Sequence, residues 1–233
     1  PLMIFSPTIV NDGRRMLISA QNLSFMIGNN RNTSYENIDF QSFFKKNNPN
    51  EIRFSSVLRA SATFPMIMPM MAMPTTPEIQ LMDAGIRDNY GGKVSIDYLF
   101  ALNDWILKNT SGVIILEIRD TKRIMSNEKY KEVSLMDKLF LPFGNLLTNF
   151  TRTQDLDQEQ LIKLCKNSFD FPVDKITFNL REDYNERISL SWHLTKREKQ
   201  KIEAAFSSLE NQIALKKLDK LTRNKSERGP KSP

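Results

Sequence analysis

The sequence predicts an α/β fold, a mixed or parallel sheet covered by helices, and three stretches carry that expectation. EIQLM (78–82) is a short apolar strand, VSIDYLFALNDWILKN (94–109) has helical apolar spacing, and GVIILEIRD (112–120) is the clearest strand in the chain. Strand, helix, strand at this spacing describes a crossover unit. Sheets built from such units bind ligands at the carboxyl ends of their strands, which is where Asp83 falls.

The remaining elements follow in order. PLMIFSPTIV and RRMLISAQ read as two strands joined by Asn11-Asp12-Gly13, a hairpin turn that makes Asp12 a turn residue. NEIRFSSVLRASATFP predicts a helix from about Ile52 to Ala62 that must end near Pro65. In the 94–109 helix, Ile96, Leu99, Phe100, Leu102, Asn103 and Ile106 lie around a helix whose apolar stripe points inward, and Ser95 is the expected N-cap. Helices are expected near 134–151 and 155–167, a strand at KITFNL (175–180), and a long helix capped by Thr195 with Glu198 completing a capping box.

Composition bounds the chemistry. The chain has 233 residues, 40% of them hydrophobic, enough for a core and read as one globular domain over 1–215. From Lys216 onward seven basic residues face two acidic ones, a local charge of +5 out of +6, so residues 216–233 read as a basic solvated tail, with a non-specific binding arm for anionic lipid or nucleic acid as the alternative, and the body as near neutral. Specific nucleic-acid binding is not expected from such a body. One cysteine (Cys165) and one histidine (His193) build neither a disulfide framework nor a nitrogen or sulfur metal site, and no cofactor is expected. Cys165 is read as a helix-face hydrophobe and His193 as packed beside Trp192. No signal peptide or membrane span is visible, and the abrupt apolar start predicts further sequence upstream; the chain is expected in the cytoplasm or, from its methionine-rich segment and basic tail, at a membrane periphery.

The eight glycines exclude the common loops. None are four residues apart, which excludes GxSxG, and none are two or five apart, which excludes GxGxxG and the P-loop spacing. Asp83, ahead of Ala84 and Gly85, is the sharp feature that remains. It is open to three uses: general base, phosphoryl acceptor, or cap of the next turn, and Gly85 in place of a second acid weighs against the phosphoryl acceptor. Five of eleven methionines lie in PMIMPMMAMP (65–74), read as an irregular segment pinned to the core, with a lipid-contacting loop as the alternative.

Taken together, RASATFPMIMP (59–69) and MDAGIRDN (82–89) resemble two blocks of the patatin-like phospholipases. The matched residues are Ala60, Ser61, Ala62, Pro65 and Pro69 in the first and Asp83, Gly85 and Asn89 in the second. IFSPTIVNDGRRMLIS (4–19) is similar to the hairpin preceding these blocks, and LSWHLT (190–195) to a segment near the domain end of bacterial members. The resemblance implies the C-terminal portion of a three-layer α/β fold and a lipid acyl hydrolase with a serine-aspartate dyad. Asp83 would be its aspartate, and the serine would lie in the missing upstream half of the domain. A lipid or phospholipid would be the substrate, with peripheral membrane contact. Ala84 stands where the family has glycine, and Tyr90 where proline is frequent. The alternative reading is a non-catalytic, lipid-binding or regulatory relative.

Overall fold

A computed structural model describes residues 1–27, 36–63, 69–120, 153–181 and 193–226. It is a mixed α/β structure whose chain forms two compact units, Pro1–Asn103 with Phe140–Asn167, and Asp104–Leu139 with Ser168–Pro233.

The first unit is organised by a five-stranded mixed sheet of order β3-β2-β1-β5-β4. Its strands are β1 (Thr8–Ile9), β2 (Arg15–Leu17), β3 (Asn37–Asp39), β4 (Met71–Met73) and β5 (Ile79–Met82). β1 and β2 form the predicted hairpin. Asp12 is a turn residue as expected: its carboxylate accepts from the Arg14 backbone N–H at 3.0 Å and from Arg14 Nε at 2.7 Å, next to Gly13 at φ 76°. β2 and β3 run parallel and the other pairs antiparallel. The helices are α1 (Phe40–Phe43), α2 (Phe54–Ala62), α3 (Gly85–Asp88), α4 (Gly92–Ala101) and α6, over 153–166. Ile9, Met16, Ile18, Phe40, Phe44, Val57, Ala60, Met73 and Leu81 form one buried cluster. Each such large side chain contributes roughly 2 kcal/mol by leaving water.

In the second unit α5 (Asn103–Asn109) leads into β6 (Val113–Arg119). β6 pairs in parallel with β7 (Val173–Asn179), and α7 (Lys196–Phe206) and α8 (Leu209–Ser226) follow. α7 and α8 pack on β7: Phe178 stacks on Phe206 with ring centroids 5.7 Å apart. Buried Asn211 accepts from Asn179 N–H at 2.9 Å and donates to Asn179 O and Ala205 O, both at 2.7 Å.

Several expectations change. The crossover was expected to put β5 and β6 in one sheet, but β5 has both edges occupied, by β1 and β4, and β6 pairs with β7 instead. Ser95 is not an N-cap. α4 begins three residues earlier, behind left-handed Gly91, because Asp88 Oδ2 accepts the Val94 N–H at 2.9 Å and does the capping; Ser95 Oγ bonds back to Gly91 O. The single helix over 94–109 is two, broken at Leu102. His193 is exposed, and Trp192, beside which it was expected to pack, lies outside the described residues. The methionine segment ends in an ordered strand, with Met73 in the core and Met71 against it. The solvated tail expected from Lys216 is helical as far as Ser226, because Leu218 and Leu221 continue the partly buried stripe of α8. The capping box at Thr195 is present with both of its bonds. Cys165 is buried on α6, as expected. The helix expected near 134–151 lies outside the described residues. Among the described residues no helix is long and apolar enough to cross a membrane.

Candidate active site around Asp83

Asp83 follows the last residue of β5, a central strand, and its backbone is held from three directions. Its N–H donates to Thr63 O at 3.0 Å, its carbonyl accepts from Thr8 Oγ1 at 3.0 Å, and the next N–H, of Ala84, donates to Ser61 O at 3.3 Å. The end of α2 and the start of the hairpin therefore clamp the chain where β5 stops. This is how the Ala60-Ser61-Ala62 block and the Asp83 block, about twenty residues apart in sequence, come together. Ala60 is fully buried beneath them in the main core.

The carboxylate is half-buried and its two oxygens differ. Oδ1 accepts the Gly85 N–H at 2.6 Å, closing a tight local turn. Oδ2 accepts no hydrogen bond among the described residues. Burial pushes the Asp83 carboxyl above its ordinary range, and the Gly85 N–H offsets part of that rise. One oxygen is thus a positioning contact and the other is a free acceptor with raised basicity. Two of the three uses left open by the sequence, cap and base, have a physical counterpart here.

Gly85 is required by contact. A Cβ there would stand 2.7 Å from Asp83 Oδ1 and 2.8 Å from Asn89 Oδ1, so no side chain fits between the carboxylate and the asparagine amide. Ala84, by contrast, has φ −62° and ψ −31°, an ordinary helical conformation that needs no glycine. Asn89 is exposed, closes α3, and donates its N–H to Gln154 Oε1 at 3.3 Å. Ser61 Oγ is buried and has no hydrogen-bond partner among the described residues, a spare donor beside the clamp. Pro65 lies outside the described residues, while Pro69 is exposed ahead of β4.

The sequence reading missed the support behind this turn. Gln154 and Gln158, one turn apart on the buried stripe of α6, both reach the 85–92 loop. Gln154 Nε2 donates to Ile86 O at 2.5 Å, and Gln158 Nε2 donates to Asp88 Oδ1 at 2.6 Å. Gly92 gives Gln158 room, since a Cβ there would lie 2.8 Å from its Oε1. Asp88, its side chain wholly buried, also lies 3.7 Å from Arg15 Nη1. Arg15, 1% exposed, is bound by Asp97 Oδ2 at 2.6 Å, and Asn37 Nδ2 donates to the same oxygen at 3.0 Å. Above this layer Arg87 pairs with Glu36. The signal was legible in retrospect: two glutamines four apart, continued by Ile162 and Cys165 on one helical stripe, mark a buried polar contact.

Chemically, the arrangement offers one carboxylate that can take up one proton at Oδ2 and is kept from rotating at Oδ1. Compared with known protein families, curated proteins and solved structures, the chain matches none.

Proposed function

We propose that this chain supplies the general base of a patatin-like lipid acyl hydrolase, with Asp83 as that base. The single observation that supports it is the asymmetric carboxylate: Oδ1 held by Gly85 N–H, Oδ2 open, and burial raising its affinity for a proton. A base that works on serine without a histidine needs a fixed orientation and raised basicity, and this carboxylate has both.

In the reaction, Asp83 Oδ2 takes the proton of a serine hydroxyl contributed from outside these residues, and the serine oxygen bonds to the ester carbonyl carbon. As the tetrahedral adduct collapses, the bond to the leaving alcohol breaks and Asp83 returns the proton to that oxygen. Asp83 then takes a proton from water, whose oxygen attacks the acyl-serine, and gives it to the serine oxygen as the fatty acid leaves. Protons and electrons balance over the two halves.

The test uses a polypeptide that carries a GxSxG serine together with this chain. Asp83→Asn is expected to lower hydrolysis of a short-chain nitrophenyl ester by about a thousandfold or more, with the circular dichroism of the parent retained. Undiminished turnover would rule out the assignment. The 233-residue chain alone is expected to hydrolyse nothing. Lipid binding without turnover, in a protein whose partner segment has no such serine, would favour the non-catalytic reading.

A further inference from the structure

The outward face of α8 carries a pattern that the Asp83 site does not use. Leu209, Ile213, Lys216, Lys220 and Arg223 recur at i, i+4, i+7, i+11 and i+14, one stripe of an α-helix. On the opposite side Asn211 is buried and Ala214, Leu218 and Leu221 are half-buried, the side that packs on β7. Leu209 is 76% exposed and Ile213 58%, and Lys216, Lys220 and Arg223 are exposed beyond them. No acid lies within the stripe. Asp219 flanks it and pairs with Arg223 at 2.8 Å, and Glu210 accepts from Asn179 Nδ2 at 3.5 Å. Phe206, 45% exposed, extends the apolar end at the close of α7.

We infer that α8 is an interfacial helix that lies on an anionic lipid bilayer. Leu209 and Ile213 enter the acyl boundary, and the ammonium groups of Lys216 and Lys220 reach the lipid phosphates. The pattern selects this partner by charge and by polarity together. A bilayer surface presents anionic phosphate directly above hydrocarbon, so it satisfies the lysines and buries the two aliphatic side chains in one contact. A nucleic acid also presents phosphate, but docking on it leaves Leu209 and Ile213 facing water. At 1.5 Å per residue α8 is roughly 27 Å long, enough to lay both halves of the stripe on one surface. The inference does not rest on hydrolysis by Asp83.

The experiment is flotation of the full chain with vesicles of phosphatidylcholine alone, or of phosphatidylcholine mixed with phosphatidylglycerol. In flotation a vesicle-bound chain rises while an aggregate sinks. The chain is expected to rise with the phosphatidylglycerol vesicles only, and less so as salt is raised. K216A/K220A should lower the partition coefficient about twenty-fivefold, roughly fivefold for each lysine, and L209S/I213S about tenfold. All four positions are exposed, so the helical circular dichroism should be unchanged. Equal flotation with both compositions, or binding undiminished by either pair of substitutions, would overturn the inference. So would capture of a DNA duplex by a chain that floats with neither vesicle. Hydrolysis of a water-soluble ester reads the Asp83 proposal separately, so failure of one leaves the other standing.

Discussion

At Asp83 the balance between burial and one hydrogen bond sets both stability and reactivity. Burial holds its carboxyl above the ordinary range, so the folded chain binds more protons than the unfolded chain between the two values. The sign follows: the favourable contribution is complete below the unfolded value and is lost as pH rises through the raised one. Asp83→Asn, which keeps an acceptor for Gly85 N–H, should therefore raise Tm at neutral pH relative to the parent, and the difference should vanish in acid. Thermal melts at the two pH values check this, and a Tm lowered at neutral pH would contradict the burial argument. If Asp83 is the base, the acidic limb of kcat/KM should lie above the ordinary aspartate range. Gly85→Ala acts differently. Its Cβ would intrude on Asp83 Oδ1 and Asn89 Oδ1, so a loss of about 1–3 kcal/mol is expected in denaturant unfolding. Hydrolysis should fall further than that loss of stability explains, because the carboxylate is displaced.

Among elements, α6 and the 85–92 loop form the pair on which the site geometry depends. β5 ends at Met82, and a loop leaving a strand end would move unless something behind it were rigid. The support is a short buried chain of contacts, Gln154 to Ile86, Gln158 to Asp88, and Asp88 toward Arg15 and Val94. Asp88→Ala removes an acceptor of two hydrogen bonds and leaves Arg15 with less compensation inside the core; about 3 kcal/mol is expected from urea unfolding. Gln158→Ala should cost about 1–3 kcal/mol. In amide exchange it should speed Val94 and its neighbours while leaving β1 and β2 protected. Unchanged exchange at Val94 would mean that α6 does not hold the loop. The helix itself was expected from spacing near 155–167, but its partners were not, because a glutamine pair says that a polar contact exists without saying to what.

For the molecule as a whole, two compact units predict two unfolding events. In calorimetry Gln158→Ala should move only the transition of the first unit, and Asn211→Ala only that of the second. Asn211 makes three backbone contacts from a buried position, so about 2–3 kcal/mol is expected there. A single transition moved equally by both substitutions would show that the units unfold together. The sequence by itself determined the local elements: the Asn-Asp-Gly hairpin, the strand ending just before Asp83, the helix ending before Pro65, the strand at 113–119 and the Thr195 capping box. Each depends on residues within a few positions of one another, through turn conformation, periodicity or a cap. Only the tertiary structure decided which strands pair and what stands behind the turn. β5 could not accept β6 once β1 and β4 had filled its two edges, Asp88 took the capping task expected of Ser95, and α8 continued through the basic stretch. Those outcomes depend on competition for hydrogen-bonding edges and on burial between segments distant in sequence, as where β1 pairs with β5, Gln158 meets Asp88 and Asn211 meets Asn179, and over such separations periodicity carries no information.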